Sequence, residues 1–121
     1  MPSQKQSIGD YGEQLARAYL EKQQYVILTT KWHCQYGELD IVAQKNNVIV
    51  FVEVKARRGQ AVQQAFAAIT PSKQKKLVAS AHLFLDEYAH DILDWRIDVI
   101  GIAIPYNEPP IIEHVEDALG W

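Results

Sequence analysis

The feature that most constrains this chain is a strand-like stretch at residues 48–55, which has the sequence VIVFVEVK. Its β-branched residues follow the turn-forming pair Asn46-Asn47 and predict a strand that is apolar on both faces, as in the interior of a sheet. Side chains of a strand alternate between its faces, so Glu53 and Lys55 lie on a face that begins apolar. A buried strand that ends with a carboxylate and an ammonium group requires a structural or a functional reason.

The preceding segment, residues 37–43, predicts the partner strand of a β-hairpin, with the asparagine pair as a two-residue turn. That turn places Asp40 directly opposite Glu53, with the two Cβ atoms about 5 Å apart. Two facing carboxylates repel each other, whereas a divalent cation between them, with Lys55 beside it, would remove the conflict. The alternative is a buried ion pair between Glu53 and Lys55. It would leave Asp40 as an uncompensated charge, at a cost on the order of several kcal/mol.

Length and composition predict a single domain over residues 1–121, with residues 1–6 as a flexible N-terminus. The chain is 48% hydrophobic and 22% charged, as is typical of a globular protein with one core. No apolar run approaches the roughly 20 residues of a membrane span, and the N-terminus lacks the apolar core of a signal peptide. Cys34 is the only cysteine, which excludes an internal disulfide and a cysteine-based zinc cluster. We therefore expect a cytoplasmic protein without a membrane partner.

Charge is distributed unevenly along the chain, although the formal net charge is only −3. Residues 86–121 contain nine acidic residues and one basic residue. Residues 55–84 contain no acidic residue. The candidates there for contact with nucleic acid are Arg57, Arg58, Lys73, Lys75 and Lys76. A solvated basic face is one interpretation. A basic surface beside a carboxylate pair favours a polyanionic substrate.

Two long helices are predicted to flank the strands. The first runs from Ser7 to roughly Gln23. Its predicted apolar face consists of Ile8, Tyr11, Leu15, Ala18 and Tyr19. Glu13 lies at the border of that face, where a solvent-exposed helix charge is the simplest interpretation. The second helix begins at Thr70-Pro71, with Thr70 as its N-cap, and Gln74 points toward its apolar stripe.

The remaining elements complete an α/β pattern. Besides the hairpin, strands are predicted at residues 25–28, 95–104 and 111–115. A polar connector is expected at residues 29–36, in which the roles of Trp32, His33 and Cys34 stay open. A short helical turn is expected after the basic loop. This order of helices and strands predicts a mixed central sheet flanked by helices.

An ordered set of motifs extends over residues 9–99. It consists of Gly9, Gly12 and Glu13, then Gly37-Glu38-Leu39-Asp40, then Phe51-Val52-Glu53-Val54-Lys55, then Lys73-Gln74, and finally Arg96 with Asp98-Val99. This set resembles the YraN family of small bacterial proteins, within the PD-(D/E)XK nuclease superfamily. The resemblance implies a restriction-endonuclease-like fold, in agreement with the α/β pattern.

The resemblance also implies roles for individual residues. Asp40 and Glu53 would bind Mg²⁺ or Mn²⁺, and Lys55 would orient or deprotonate the attacking water. Glu13 corresponds to the helical glutamate of related Holliday-junction resolvases. Gln74 lies where some superfamily members carry a further catalytic or structural polar residue. The implied activity is endonucleolytic cleavage of DNA, on branched or otherwise structured substrates, and a homodimer would suit a symmetric junction.

Two alternatives to a nuclease stay open. The first is a binding module that keeps the nuclease fold and recognises nucleic acid or protein without turnover. The second is a scaffold with no nucleic-acid role, in which the basic stretch is only a solvated face. The intact set of Asp40, Glu53 and Lys55 favours a metal-dependent endonuclease. Mg²⁺ prefers oxygen ligands, and it can lower the pKa of a bound water.

Overall fold

The computed structural model describes residues 7–67, 69–88 and 94–119, so the predicted flexible N-terminus lies outside the described residues. The helices are α1 (Ile8–Lys22), α2 (Gln63–Phe66) and α3 (Pro71–Tyr88). The strands are β1 (Val26–Cys34), β2 (Gly37–Lys45), β3 (Val48–Arg58), β4 (Asp94–Ile104) and β5 (Ile111–Val115).

The strands form one sheet in the order β1-β2-β3-β4-β5. β3 and β4 are parallel, and the other neighbouring pairs are antiparallel. The parallel pair requires a long crossover, which the segment containing α2 and α3 provides. The predicted α/β class with a mixed sheet flanked by helices is confirmed. The arrangement is consistent with the restriction-endonuclease-like fold.

Two apolar clusters cover the two faces of the sheet, and we name each after its helix. The α1 cluster contains Ala16, Leu20, Ile41, Val50, Val52, Val54 and Ile100 among its buried residues. The α3 cluster contains Leu39, Val42, Ile49, Phe51, Leu77, Phe84 and Ile97 among its buried residues. β3 contributes to both clusters because its side chains alternate between the faces. It is the interior strand that its apolar sequence predicts.

The hairpin of β2 and β3 has the predicted turn and register. Asn46 and Asn47 have φ values of 53° and 65°. Asparagine tolerates this left-handed conformation, which a two-residue type I′ turn requires at both positions. Val42 pairs with Phe51, as predicted from the length of the turn.

Both long helices begin at their predicted caps. Ser7 Oγ accepts a hydrogen bond from the amide of Asp10 at 3.0 Å. Thr70 Oγ1 accepts one from the amide of Lys73 at 3.3 Å. The helical turn expected after the basic loop is α2. Within the described ranges, no helix combines the length and the apolar character needed to cross a membrane.

β1 is longer than predicted, because it continues from Val26 to Cys34 and includes most of the expected polar connector. Trp32 packs edge-to-face against Phe84, with ring centroids 5.3 Å apart. Cys34 Sγ donates a hydrogen bond to Ser80 Oγ at 3.3 Å. β1 is at the edge of the sheet, where several side chains face solvent. Its sequence is therefore polar, which is why it predicts a connector and not a strand.

α1 packs on the sheet with Ile8, Tyr11, Leu15 and Tyr19 of its predicted apolar face, but it is rotated so that other residues are the most deeply buried. Its buried line is Gly12, Ala16 and Leu20, whereas Ala18, expected in the core, is exposed. A Cβ atom at Gly12 would lie 2.6 Å from the Cβ of Ala56. The absence of a side chain at this position therefore lets the helix approach β3 closely, and this contact sets the rotation of the helix.

Candidate functional site

The candidate site lies where β3 continues beyond its pairing with β2. The ladder between these strands ends at Ile41 and Val52, whereas β3 remains paired with β4 as far as Arg58. Beyond that end, Asp40 Oδ2 accepts a hydrogen bond from the amide of Val54 at 2.8 Å. The Asp40 side chain therefore forms the next hydrogen bond to β3 after the backbone pairing with β2 stops. This bond keeps Asp40 beside the end of β3.

β2 is irregular at Asp40. Leu39 packs in the α3 cluster and Ile41 in the α1 cluster. Residues two apart in a regular strand would share a face. Asp40 lies between them, and its carboxylate interacts with Glu13 from α1 as well as with Glu53 of β3. This irregularity brings carboxyl groups from both faces of the sheet to one place.

The carboxyl group of Glu53 lies beside that of Asp40. Burial, followed by the hydrogen bond and the charge of Asp40, raises the pKa of Glu53 to about 9. Lys55 Nζ lies 3.9 Å from Glu53 Oε2 and opposes this rise. The ion-pair alternative assumed an uncompensated Asp40. In the structure Asp40 does accept a hydrogen bond from the Val54 amide, whereas the neighbouring Glu53 has the same charge when ionised and cannot compensate it.

Glu13 contributes a further carboxyl group from α1. Its Oε1 is buried and has no hydrogen-bond partner among the described residues, so the interpretation as an exposed helix charge is wrong. Burial and the negative charge of Asp40 raise the pKa of Glu13 to about 7, against the opposing charge of Lys31. The close approach of α1 at Gly12 explains the burial, because it brings the next residue against the end of the sheet.

Glu38 belongs to the same group, although sequence reasoning did not select it as a site residue. One ligand oxygen from each of Glu13, Glu38 and Asp40 lies within 4.8 Å of the others. The two-residue spacing of Glu38 and Asp40 in β2 was the signal that could have identified it. Glu38 Oε2 also lies 3.0 Å from Nε2 of the exposed His33. The set offers only oxygen donors, which suit Mg²⁺ and Mn²⁺.

Two clefts meet at the end of β3, and Lys55 lines both of them. The α1-side cleft has a volume of about 490 Å³, and its lining includes Gly9, Glu13, Asp40, Lys55, Arg57 and Arg58. The α3-side cleft has a volume of about 260 Å³, and its lining includes Tyr36, Glu38, Glu53, Lys55, Lys73 and Lys76. Basic side chains from the predicted nucleic-acid set thus border the carboxyl groups on both faces of the sheet.

Gln74 and Lys75 lie elsewhere. Both line a separate cleft that also includes Val78, and neither lines the two clefts at the end of β3. Helical spacing explains the difference, because Lys73 and Lys76 are three residues apart and share a face that Gln74 and Lys75 do not. The catalytic role of Gln74 and the nucleic-acid contact of Lys75 stay predictions, without support from proximity to the carboxyl groups.

A second polar cluster joins α1, β4 and β5, and it contains Asp98, His114 and Glu116. The buried Asp98 lies 2.9 Å from Arg96 Nε and 2.8 Å from His114 Nε2. Burial alone would raise the pKa of Asp98, but the hydrogen bonds from His114 and Arg96 lower it. His114 Nδ1 is also hydrogen-bonded to Tyr19 at 3.1 Å. These groups already neutralise and bond one another, so the cluster stabilises the packing of the three elements.

Comparisons with known proteins show relatives along nearly the whole chain. The model of Uncharacterised protein family UPF0102 matches residues 12–102, a region that includes Glu13, Asp40, Glu53 and Lys55. A UPF0102 protein of Chloroflexus aurantiacus is 42% identical over 123 residues, which cover 99% of this chain and 98% of the relative. One from Roseiflexus castenholzii is 39% identical over 123 residues, covering 98% of each. One from Geobacter sulfurreducens is 40% identical over 111 residues, covering 92% of this chain and 87% of the relative.

Proposed function

We propose that this chain, which belongs to the uncharacterised protein family UPF0102, is a metal-dependent endonuclease that hydrolyses phosphodiester bonds in branched or otherwise structured DNA. One observation carries the proposal: carboxyl groups from α1, β2 and β3 converge at the end of β3, between two clefts lined by basic side chains. Such a concentration of carboxyl groups is unfavourable for stability alone, and it is suited to holding a cation beside a phosphate.

The residues present fit a hard divalent cation. Asp40 and Glu53 would hold Mg²⁺ or Mn²⁺, although Glu53 is outside the set of mutually close oxygens that Glu13, Glu38 and Asp40 form. Glu13 and Glu38 are further oxygen donors, and Glu13 supports the fit because its buried Oε1 has no partner among the residues described. When bound, such an ion polarises a phosphate oxygen and lowers the pKa of a bound water. Carboxylate ligands bind metal in the deprotonated form, so loading requires Glu53, whose pKa is raised to about 9, to lose its proton.

Lys55 is the candidate for positioning the reacting groups. Its side chain is 21% exposed, and it faces both clefts. An ammonium group in this place can donate hydrogen bonds to a phosphate oxygen and orient a water for attack at phosphorus. That attack breaks one P–O ester bond and leaves a phosphate monoester and a hydroxyl group. Arg57, Arg58 and the lysines of the α3-side cleft would bind neighbouring phosphates.

A cleavage assay tests the proposal. Labelled linear, flapped and four-way-junction DNA would be incubated with Mg²⁺, with Mn²⁺ and with a chelator. We expect cleavage by the wild-type protein with metal and none with the chelator. Asp40→Asn and Glu53→Gln should abolish cleavage, because an amide keeps the shape of the side chain but removes its charge. Glu113→Gln, at an exposed carboxylate of β5, is the matched control and should cleave like the wild type.

Calorimetry with Mn²⁺ and a DNA-binding assay complete the test. Metal binding should be lost in Asp40→Asn and Glu53→Gln, and retained binding would show that these residues are not the ligands. Tight DNA binding by the wild type without cleavage under any divalent metal would replace the catalytic proposal with a binding module. A protein that neither binds nor cuts DNA would leave the basic stretch as a solvated face.

A further inference from the structure

Two exposed tyrosines border the candidate site, one beside each cleft. Tyr36 lies in the turn between β1 and β2, is 41% exposed and lines the α3-side cleft. Tyr106 lies in the connection between β4 and β5 and is 68% exposed. The guanidinium carbon of Arg58, which lines the α1-side cleft, lies 4.8 Å from the centre of the Tyr106 ring. A single exposed aromatic residue is common on protein surfaces. The two rings are of interest because each lies beside one of the clefts.

Each tyrosine is placed next to cations. Tyr36 shares its cleft with Lys73 and Lys76, and Tyr106 contacts Arg58. Lys55 lines both clefts, so it lies between the two pairs of aromatic and basic groups. Cations that contact phosphates, combined with rings on which bases stack, form the common surface for binding unpaired nucleotides.

A double helix has few exposed base faces on which such rings could stack. Bases within a duplex are stacked on one another, and only their edges are accessible in the grooves. A tyrosine can stack on a base only where that base is unpaired and turned out of the helix. The lysines and arginines attract any phosphate backbone. Tyrosines at these positions would therefore favour unpaired nucleotides over a duplex.

We propose that the site accepts single-stranded nucleic acid, or the unpaired segment of a branched one. Bases stack on Tyr36 and on Tyr106, on the two sides of the phosphate held at Lys55. This inference rests on the proposed function and names the substrate class of the same site. The substrate enters as one strand, whose phosphates follow the basic side chains from the α3-side cleft to the α1-side cleft.

Fluorescence anisotropy in the presence of a chelator tests this inference without cleavage. The probes are a labelled oligothymidylate and an abasic oligomer of the same length, which keeps the phosphates and lacks the bases. We expect the wild type to bind the oligothymidylate about tenfold more tightly, because only bases can stack. Tyr36→Ala combined with Tyr106→Ala should remove this preference, and the corresponding Phe variants should retain it.

Tyr88→Ala is the matched control. Tyr88 is 46% exposed, stacks on Phe84 and lines neither cleft, so its removal should leave the preference unchanged. Thermal unfolding confirms that each variant is folded. Equal affinity of the wild type for the two probes would overturn the inference. So would binding to neither probe, or a preference that survives in the double Ala variant.

The cleavage assay with metal distinguishes this inference from the proposed function. Cleavage without base-dependent binding would retain the nuclease and reject the stacking of bases on the tyrosines. Base-dependent binding without cleavage would retain the stacking and reject the catalytic role of the site.

Discussion

At the scale of single residues, Asp40 connects the parts of the candidate site. It accepts the amide of Val54, and together with burial it raises the pKa of the neighbouring Glu53. The repulsion between the two carboxyl groups can be relieved by a proton on Glu53 or by a divalent cation, and the two compete for the same oxygens. Metal affinity should therefore rise with pH, in the range where Glu53 loses its proton.

Glu53→Gln should reduce the loss of stability of the metal-free protein at high pH. The folded-state pKa of Glu53 is about 9, above its ordinary value of 4.5. Protonated Glu53 therefore contributes fully to the stability of the fold at a pH below 4.5, and this contribution is lost as the pH rises toward about 9. Glutamine has no proton to lose. We expect the Tm of the variant in chelator to fall less than that of the wild type, by about 3 °C or more at the alkaline end.

A pH series of thermal melts measures this difference. Glu113→Gln is the control, because its carboxylate is exposed on β5, and it should follow the wild-type curve. Parallel pH dependence in Glu53→Gln and the wild type would contradict the raised pKa of Glu53.

Lys55→Ala should separate chemistry from binding. We expect single-turnover cleavage to fall about 100-fold or more, because the group that orients the water is lost. Affinity for DNA should change little, since one phosphate contact among several is a small share of binding. Arg57→Ala should show the reverse pattern. A parallel loss of affinity and cleavage in Lys55→Ala would assign this residue to substrate binding.

At the scale of elements, the contact between α1 and β3 decides whether Glu13 reaches the site. The contact depends on Gly12, where a Cβ would lie 2.6 Å from the Cβ of Ala56. A side chain here would push the helix away from the strand. Glu13 follows directly in the chain and would move with the helix, away from Asp40 and Glu38.

Gly12→Ala should therefore destabilise the protein by about 1–3 kcal/mol through overpacking, although alanine favours helix formation. It should also weaken Mn²⁺ binding, measured by calorimetry. Gly9→Ala is the control, because a Cβ there meets only Ser7 Oγ at 3.8 Å. Ala56→Gly should partly restore stability in the double variant. Equal effects of the two glycine substitutions would show that the Gly12 contact does not set the position of α1.

At the scale of the whole molecule, charge is segregated even though its net value is −3. Basic side chains border the two clefts, whereas exposed carboxylates such as Glu113 and Glu116 lie on β5 and in the turn after it. A polyanion is attracted to the first surface and repelled by the second. This distribution would orient DNA during its approach.

Lys73→Ala combined with Lys76→Ala should lower DNA affinity and flatten its dependence on salt. The slope of log K against log salt should decrease by about one unit for each lost phosphate contact. Lys75 lines a different cleft, so the Lys75→Ala variant should bind DNA nearly as the wild type does. Titrations at several salt concentrations measure these slopes. A decrease of about one unit of slope in Lys75→Ala as well would show that nucleic acid contacts a wider surface than the two clefts.

The sequence by itself determined the parts of this protein that depend on neighbouring residues. The asparagine turn and the apolar alternation of β3 set the hairpin register, which predicts that Asp40 lies opposite Glu53. Ser7 and Thr70 mark the starts of the two long helices because capping is a local interaction. The order of elements predicts the α/β class, since it leaves few ways to cover both faces of one sheet.

Only the tertiary structure decided which further side chains join the site. The burial of Glu13 depends on the rotation of α1, which a contact between residues 12 and 56 sets. Glu38 joins because α1 brings Glu13 within 4.8 Å of Glu38 and Asp40, and the face of α3 places Gln74 elsewhere. β1 is a strand along its whole length because it pairs with β2 from Val26 to Cys34. These outcomes arise from contacts between residues far apart in the chain, and local patterns of polarity contain little information about such contacts.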